Sequence, residues 1–165
     1  MDLSKLTAGV ISLTKEVGEF IRKESLVFER EQVEYKGLHD MVSYVDKTAE
    51  IALVKGLRLL LPEAGFVTEE KTTTITGEKY DWIIDPLDGT TNFIHGLPTY
   101  SISIALQCDN ELILGVVYEI NRDECFSAWK NGGAYLNNKR ISVSKASRIE
   151  NTLLATGFPY YEFGK

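Results

Sequence analysis

The sequence is poor in basic residues and in long apolar runs, and each shortage excludes a class of protein. Eighteen Lys and Arg stand against 24 Asp and Glu, a net charge of −6, and the basic residues form no stripe. This charge balance argues against a nucleic-acid-binding surface. No apolar run approaches the roughly 20 residues that span a bilayer, and no Asn-x-Ser/Thr glycosylation acceptor occurs. We expect neither nucleic acid nor a membrane as partner.

Cysteine is also scarce. Cys108 and Cys125 both lie in apolar, strand-like runs, which favours buried, reduced thiols in a reducing compartment, although their spacing leaves a disulfide open. The N-terminal stretch lacks a basic segment, an unbroken apolar segment and a small-residue cleavage site, which are the parts of a secretory signal. These features predict a cytoplasmic protein.

The length and composition are those of one folded domain, with 165 residues of which 44% are hydrophobic. Apolar residues recur at helical spacing in two segments, one ending near Ser25 and one ending before Pro62. The stripe of the first helix contains Leu3, Leu6, Val10, Leu13, Val17 and Phe20, and that of the second contains Val45, Ala49, Leu53, Leu57 and Leu60. A short strand, "GFVTEE", follows and ends in two acids.

The second half of the chain has the pattern of an antiparallel meander. "TYSISIALQC" and "ELILGVVYEI" are predicted strands joined by a turn at Asp109 and Asn110. "ECFSAWK" and "GAYLNN" continue the pattern, and Asn137 with Asn138 marks a turn before "RISVS". Helices followed by strands, without alternation, predict an α+β fold with two N-terminal helices packed on a largely antiparallel sheet.

The stretch "WIIDPLDGTTNF" places two carboxylates close together. The apolar residues before Asp85 predict a buried strand that ends there, and the following Pro86 and Gly89 predict a turn that contains Asp88. Like charges at this separation repel unless a cation lies between them. The alternative is that both acids are solvated by the turn.

Acids that follow apolar runs recur along the chain and predict a metal site. Glu69, Asp85 and Asp88 can meet at one sheet edge, and carboxylate oxygens suit Mg²⁺. A short helix at "TTNFIHG" would present free backbone N–H groups to a phosphate, and Asp46 with Thr90 could orient an attacking water. Two other acidic motifs are alternatives, the EF-hand loop and the haloacid dehalogenase motif. Both need acids two residues apart, whereas Asp85 and Asp88 are three apart, so the spacing argues against both.

The paired acids at 69–70 and the stretch "WIIDPLDGTTNF" resemble the two N-terminal signatures of the inositol monophosphatase family. The resemblance implies the first half of a layered α/β sugar-phosphatase fold and a Mg²⁺-dependent phosphatase, often lithium-sensitive and homodimeric. It implies hydrolysis of inositol monophosphate or a similar small polyol phosphate by metal-activated water. Fructose-1,6-bisphosphatases and 3′-phosphoadenosine bisphosphate nucleotidases share the pattern and are alternatives within the superfamily.

The resemblance also implies roles for individual residues. Glu69, Asp85, Asp88 and the backbone carbonyl of Leu87 correspond to metal ligands, with Glu69 also counted in the catalytic group. The backbone N–H groups of Gly89 and Thr90 correspond to the phosphate-binding site, and Asp46 and Thr90 correspond to the pair that polarises the attacking water. Lys36 and Asp40 correspond to a mobile loop near the metals. His39 and His95 have no metal-ligand spacing with another His or Cys.

The family's second half carries a Trp-Asp signature that does not occur in these 165 residues. The sequence therefore predicts an N-terminal metal- and phosphate-binding domain over 1–148, and the first strand of a further domain over 149–165. The chain by itself is expected to be inactive or nearly so. A non-catalytic domain that binds metal or a partner protein is the alternative function from another class.

Overall fold

The structure, a computed structural model, describes residues 1–28, 33–37, 40–73 and 75–156, and for 33–37 and 40–42 it describes the backbone alone. The elements in chain order are α1 (Leu3–Glu24), β1 (Val33–Gly37), β2 (Asp40–Ser43), α2 (Tyr44–Leu60), β3 (Gly65–Thr68), β4 (Tyr80–Asp88), α3 (Thr90–Ile94), β5 (Ser101–Cys108), β6 (Glu111–Glu119), β7 (Glu124–Trp129), β8 (Gly133–Leu136), β9 (Lys139–Ile141) and a 3-10 helix (Ile149–Asn151).

The two predicted helices form with defined N-terminal caps. The Asp2 side chain accepts a hydrogen bond from the Lys5 N–H at the start of α1. Ser43 begins α2 with a capping box, in which its hydroxyl accepts from the helix backbone while its own N–H donates to Asp46. Such caps satisfy N–H groups that have no partner within the helix. The apolar stripes of both helices pack against the core, except for Leu60, which is 37% exposed.

Among the described residues, seven strands form one sheet in the order β3-β4-β5-β6-β7-β8-β9, in which only β3 and β4 are parallel. The strands β1 and β2 form a separate antiparallel pair. The predicted turns at Asp109–Asn110 and Asn137–Asn138 are confirmed, since all four residues have the positive φ angles of tight hairpins. The α+β prediction, with two helices on a largely antiparallel sheet, is confirmed.

The core lies between the helices and one face of this sheet. Alternate residues of the central strands are buried on that face, among them Trp82, Ile104 and Val116, each at most 1% exposed. Helix α1 packs on α2, β6 and β7, and α2 packs on β4. Among the helices that the structure describes, none combines the length and the apolar character needed to cross a membrane.

Strand β4 does not end at Asp85 as predicted, because it continues to Asp88. Asp85 pairs with Ser103 of β5, and Asp88 pairs with Ser101 after a shift in register. Pro86 has no N–H to donate to the ladder, so the chain forms a bulge there and then resumes pairing. The segment predicted as a turn is therefore an irregularity within a strand, and the turn begins at Gly89.

The strand predicted after Asn138 is shorter than expected, since β9 ends at Ile141. The segment 152–156 contains no regular element, and 157–165 lies outside the described residues. The division into domains over 1–148 and 149–165 stays a prediction.

Candidate metal and phosphate site

Glu69 and Asp85 are brought together by the only parallel pair of strands in the sheet that the described residues form. Thr68 of β3 lies opposite Ile84 of β4, so the next residue of each chain segment, Glu69 and Asp85, emerges at the same edge. A hydrogen bond joins the two carboxyl groups and acts to lower the pKa of Asp85. Two acids from different strands thus meet side by side.

Asp85 is half-buried, and its environment is unfavourable for a negative charge. Burial raises the pKa of its carboxyl above the ordinary value of 3.8, and the nearby Asp88 and Asp46 carboxylates raise it further. The hydrogen bonds with Glu69 and with the Leu87 N–H, 3.1 Å from Asp85 Oδ1, act in the opposite direction. The charged neighbours that raise this pKa are both carboxylates, so a cation would relieve their repulsion.

The donor groups around Asp85 fit a hard divalent cation in their chemistry. Carboxylate and carbonyl oxygens are the ligands of Mg²⁺ and Ca²⁺, and Asp88 is exposed at the same strand end. Among the residues that the structure describes, however, no three His, Cys, Asp or Glu side chains are gathered closely enough to hold a metal ion between them.

Asp46 is buried, with 1% of its surface exposed, and is fixed by hydrogen bonds on both oxygens. Its Oδ2 accepts from the Ser43 N–H at 2.9 Å and from the Ser43 hydroxyl at 2.6 Å. Its Oδ1 lies 2.9 Å from the Thr90 hydroxyl, which also lies 3.0 Å from the Leu87 carbonyl oxygen. Because a hydroxyl has one proton, Thr90 can donate to only one of these two oxygens at a time.

The predicted phosphate-binding residues lie at the start of α3. Gly89 has a φ of 101°, and a Cβ at this position would lie 3.0 Å from the Thr99 carbonyl oxygen. Both observations explain why glycine occupies this position. The turn directs the chain from β4 into the five-residue helix α3, and Thr90 is its first residue.

The remaining predicted residues are placed as follows. His95 is exposed at the C-terminal end of α3. The side chains of Lys36 and Asp40 and the whole of His39 lie outside the described residues. The roles given to the acids, to Thr90 and to Gly89 stay predictions.

Two residues of this region were not predicted from the sequence. Ser43 caps α2 and holds Asp46, and Glu50, one helical turn after Asp46, is completely buried and accepts hydrogen bonds from the segment after Glu69. The sequence did contain a signal for Glu50: it lies beside Ala49 and Leu53, on the helix face that the apolar stripe predicts to be buried.

Comparison with known proteins assigns the chain to a family. A model described as the inositol monophosphatase family matches residues 2–162. A protein of Haemophilus influenzae named Nus factor SuhB is 45% identical over 127 residues, which are 76% of this chain and 47% of that protein. A Dictyostelium discoideum protein named inositol monophosphatase is 35% identical over 161 residues, which are 96% of this chain and 59% of that protein.

A solved structure agrees with these matches. The crystal structure of the extragenic suppressor protein SuhB of Bartonella henselae has a TM-score of 0.79 and 36% identity, and the match covers 86% of this chain and 55% of that one. The chain thus spans about half the length of the relatives it matches.

Proposed function

The chain belongs to the inositol monophosphatase family, and on that premise we propose that it is the metal- and phosphate-binding half of a Mg²⁺-dependent phosphatase. The proposed substrate is inositol monophosphate or a similar small polyol phosphate. The observation that carries the proposal is the group of carboxylates around Asp85, which adjoins the hydrogen-bonded pair of Asp46 and Thr90.

Glu69, Asp85, Asp88 and the carbonyl oxygen of Leu87 would hold the metal. When bound there, Mg²⁺ would offset the charge of the phosphoryl oxygens and acidify a coordinated water. The bulge in β4 supports this assignment, because it removes two residues from the regular ladder between Asp85 and Asp88. Glu69 contributes from the neighbouring strand through its contact with Asp85.

Thr90 and Asp46 are proposed to prepare the attacking water. Asp46 is buried, whereas Thr90 is half-buried, so the effect of Asp46 on a water is proposed to pass through the Thr90 hydroxyl. When Thr90 donates its proton to Asp46 Oδ1, its lone pairs are free to accept a hydrogen bond from water. The capped start of α2 keeps Asp46 in this orientation.

The N–H groups of Gly89 and Thr90 are proposed to bind the phosphate, because the turn at Gly89 leaves them without helical partners.

Lys36 and Asp40 are proposed to belong to a mobile loop near the metals. Homodimer formation, lithium sensitivity and a cytoplasmic location, which the family or the composition implies, belong to the same proposal.

Phosphate release by the complete gene product tests this function directly. The substrates are inositol 1-phosphate, fructose 1,6-bisphosphate and 3′-phosphoadenosine 5′-phosphate, each with Mg²⁺ and with EDTA. We expect Mg²⁺-dependent release with inositol 1-phosphate preferred. Preference for either of the other two substrates would move the protein to another branch of the superfamily, and no release from any of them by folded protein would contradict the proposal.

A second candidate is a non-catalytic role in binding a partner protein, which the Haemophilus relative named Nus factor SuhB favours. The two roles respond differently to loss of the metal ligands. A variant with Asp85→Asn should lose phosphate release but keep a partner that binds elsewhere on the surface. A cellular function that survives this substitution would favour the partner-binding role.

A further inference from the structure

Glu50 of α2 is a charged side chain with no exposed surface, and its carboxylate is fully engaged. Its Oε2 accepts from the Glu70 N–H at 2.7 Å, and its Oε1 accepts from the N–H and the hydroxyl of Thr72 at 2.8 and 2.7 Å. A buried carboxylate is tolerated only when donors surround it, as they do here. All three donors belong to the segment that follows Glu69.

The segment between these donors adopts an unfavourable backbone conformation. Lys71, between Glu70 and Thr72, has a φ of 56°, which non-glycine residues rarely adopt. The two oxygens of Glu50 bind the N–H groups on either side of Lys71 and so hold the turn in this shape. Strained residues persist where the surroundings over-determine them, and they concentrate at functional sites.

One turn of α2 therefore positions two parts of the candidate site. Asp46 binds Thr90 at the start of α3, and Glu50, four residues later on the same helix face, binds the chain next to Glu69. The Glu69 N–H donates a hydrogen bond of 3.3 Å to the Ile84 carbonyl, which is longer than the hydrogen bonds that Glu50 accepts. The distance between the Glu69 and Asp46 regions is set by a rigid helix.

We propose that Glu50 is a positioning residue, which holds the turn 70–72 so that Glu69 meets Asp85 in the geometry that binds the metal. This inference rests on the proposed function, and Glu50 itself touches neither metal nor substrate. It goes beyond the family's signature residues, because Glu50 acts through the backbone of the turn.

The test compares Glu50→Gln, Thr72→Val and Leu57→Ala with the wild type in the complete gene product. A glutamine cannot accept at both ends, so the N–H of either Glu70 or Thr72 loses its acceptor. Thr72→Val removes one of the three hydrogen bonds, and Leu57→Ala weakens the buried face of α2 two turns away. The measurements are Mg²⁺ affinity by calorimetry, the Mg²⁺ dependence of phosphate release, and amide hydrogen exchange of 69–73.

For Glu50→Gln we expect Mg²⁺ affinity to fall about 10- to 100-fold, the range found for groups that orient metal ligands. Phosphate release at saturating Mg²⁺ should stay near that of the wild type, and the amides of Glu70 and Thr72 should exchange faster. Thr72→Val should weaken Mg²⁺ binding roughly threefold, as for one lost hydrogen bond, and it provides the test if Glu50→Gln does not fold. Leu57→Ala should lower the melting temperature without a change in Mg²⁺ affinity.

Wild-type Mg²⁺ affinity in both Glu50→Gln and Thr72→Val would overturn the inference while leaving the phosphatase assignment intact. An equal loss of affinity in Leu57→Ala would also overturn it, because the effect would then follow from stability alone. A wild-type protein that neither binds Mg²⁺ nor releases phosphate would refute the proposed function, and this inference with it.

Discussion

Asp85 belongs both to the sheet, through its backbone, and to the candidate site, through its carboxyl group. Its backbone pairs with Ser103 of β5, while its carboxyl is hydrogen-bonded to Glu69 and is affected by the negative charges of Asp88 and Asp46. Without a bound cation this grouping of acids destabilises the folded chain, because each further carboxylate raises the free energy of charging the others. The folded chain therefore carries an electrostatic cost that a bound cation would remove.

Substitution of Asp85 by Asn should separate function from stability. Burial and the neighbouring carboxylates raise the pKa of Asp85 above 3.8, so charging this group costs more in the folded, metal-free protein than in the unfolded chain. The stabilisation from this group is present below pH 3.8 and is lost as the pH rises through the raised pKa. In EDTA at pH 7, Asp85→Asn should have a higher free energy of unfolding than the wild type.

Chemical denaturation in EDTA from pH 7 down to about pH 3.5 measures this effect. The advantage of Asp85→Asn should shrink as the pH falls and vanish near the unfolded pKa. Asp109→Asn, in an exposed hairpin turn, is the control and should show no such trend. A less stable Asp85→Asn protein at pH 7 would show that the acids are not crowded in the metal-free state.

Candidate site residues can be predicted from the sequence only where the local pattern of apolar and acidic residues indicates them. Glu69 is predicted as a site residue because it follows the strand that ends at Thr68, and Asp85 because it follows an apolar run. Glu50 was missed because its partners, Glu70 and Thr72, are 20 and 22 residues away in sequence. A buried charge is explained only by the contacts that surround it.

At the scale of elements, the start of α2 connects helix capping to the candidate site. The Ser43 hydroxyl accepts from the Val45 N–H and donates to Asp46, so the cap also orients the proposed catalytic carboxylate. Ser43→Ala and Asp2→Ala each remove an N-cap side chain and should each cost about 1 kcal/mol of stability. Only Ser43→Ala should also slow phosphate release, because the cap of α1 involves Lys5 rather than Asp46.

The comparison needs denaturant unfolding and phosphate release for both variants of the complete gene product. Equal activities of the two variants would show that Asp46 keeps its orientation without Ser43. The hydrogen bonds from the Thr90 hydroxyl and from the backbone N–H of residue 43, which the alanine keeps, would then be sufficient to fix the carboxylate.

The turn between β4 and α3 depends on Gly89. An alanine there would have to adopt a φ near 101° with its Cβ close to the Thr99 carbonyl, so Gly89→Ala should cost about 1–3 kcal/mol. Gly115 is the matched control, because it has an ordinary φ and no other group lies within 4 Å of the place that an alanine Cβ would take. Gly115→Ala should be neutral or slightly stabilising.

Thermal unfolding of both variants and phosphate affinity of the complete gene product check this prediction. Gly89→Ala should also bind inorganic phosphate more weakly, because the N–H groups of Gly89 and Thr90 would shift. Unchanged stability in Gly89→Ala would mean that the turn can relax to an ordinary conformation.

Elements with strong local signals were predicted with accurate boundaries. The helices α1 and α2 follow their apolar stripes, and the hairpin after Cys108 follows the turn residues Asp109 and Asn110. The end of β4 was misplaced because Pro86 and Gly89 are turn formers, whereas pairing with β5 continues past the proline. Tertiary pairing outweighed local preference at this point.

At the scale of the whole molecule, the helices cover one face of the seven-stranded sheet, and the other face carries partly exposed apolar side chains. Val117 and Phe126, on the paired strands β6 and β7, and Ile141 on β9 are each about 40% exposed. The matches cover only 47% of the Haemophilus relative and 55% of the Bartonella structure. We therefore propose that residues outside these 165 complete the site.

The 165-residue chain should accordingly release phosphate from inositol 1-phosphate at a small fraction of the rate of the complete gene product. The reason is that no three His, Cys, Asp or Glu side chains among the described residues are gathered closely enough to hold a metal ion, so further ligands are needed to complete the coordination. Phosphate assays at equal molar concentrations, with circular dichroism to establish folding, measure the ratio. Comparable rates would show that these residues are sufficient for catalysis.

The most direct test of the metal site is calorimetric titration of the EDTA-stripped, dialysed complete gene product with Mg²⁺ or Mn²⁺. The wild type and Asp109→Asn should bind the ion with equal affinity. Asp85→Asn and Asp88→Asn should lose at least tenfold in affinity, since each removes a charged ligand. Equal affinity in all four proteins would contradict the assignment of the metal to the carboxylates around Asp85.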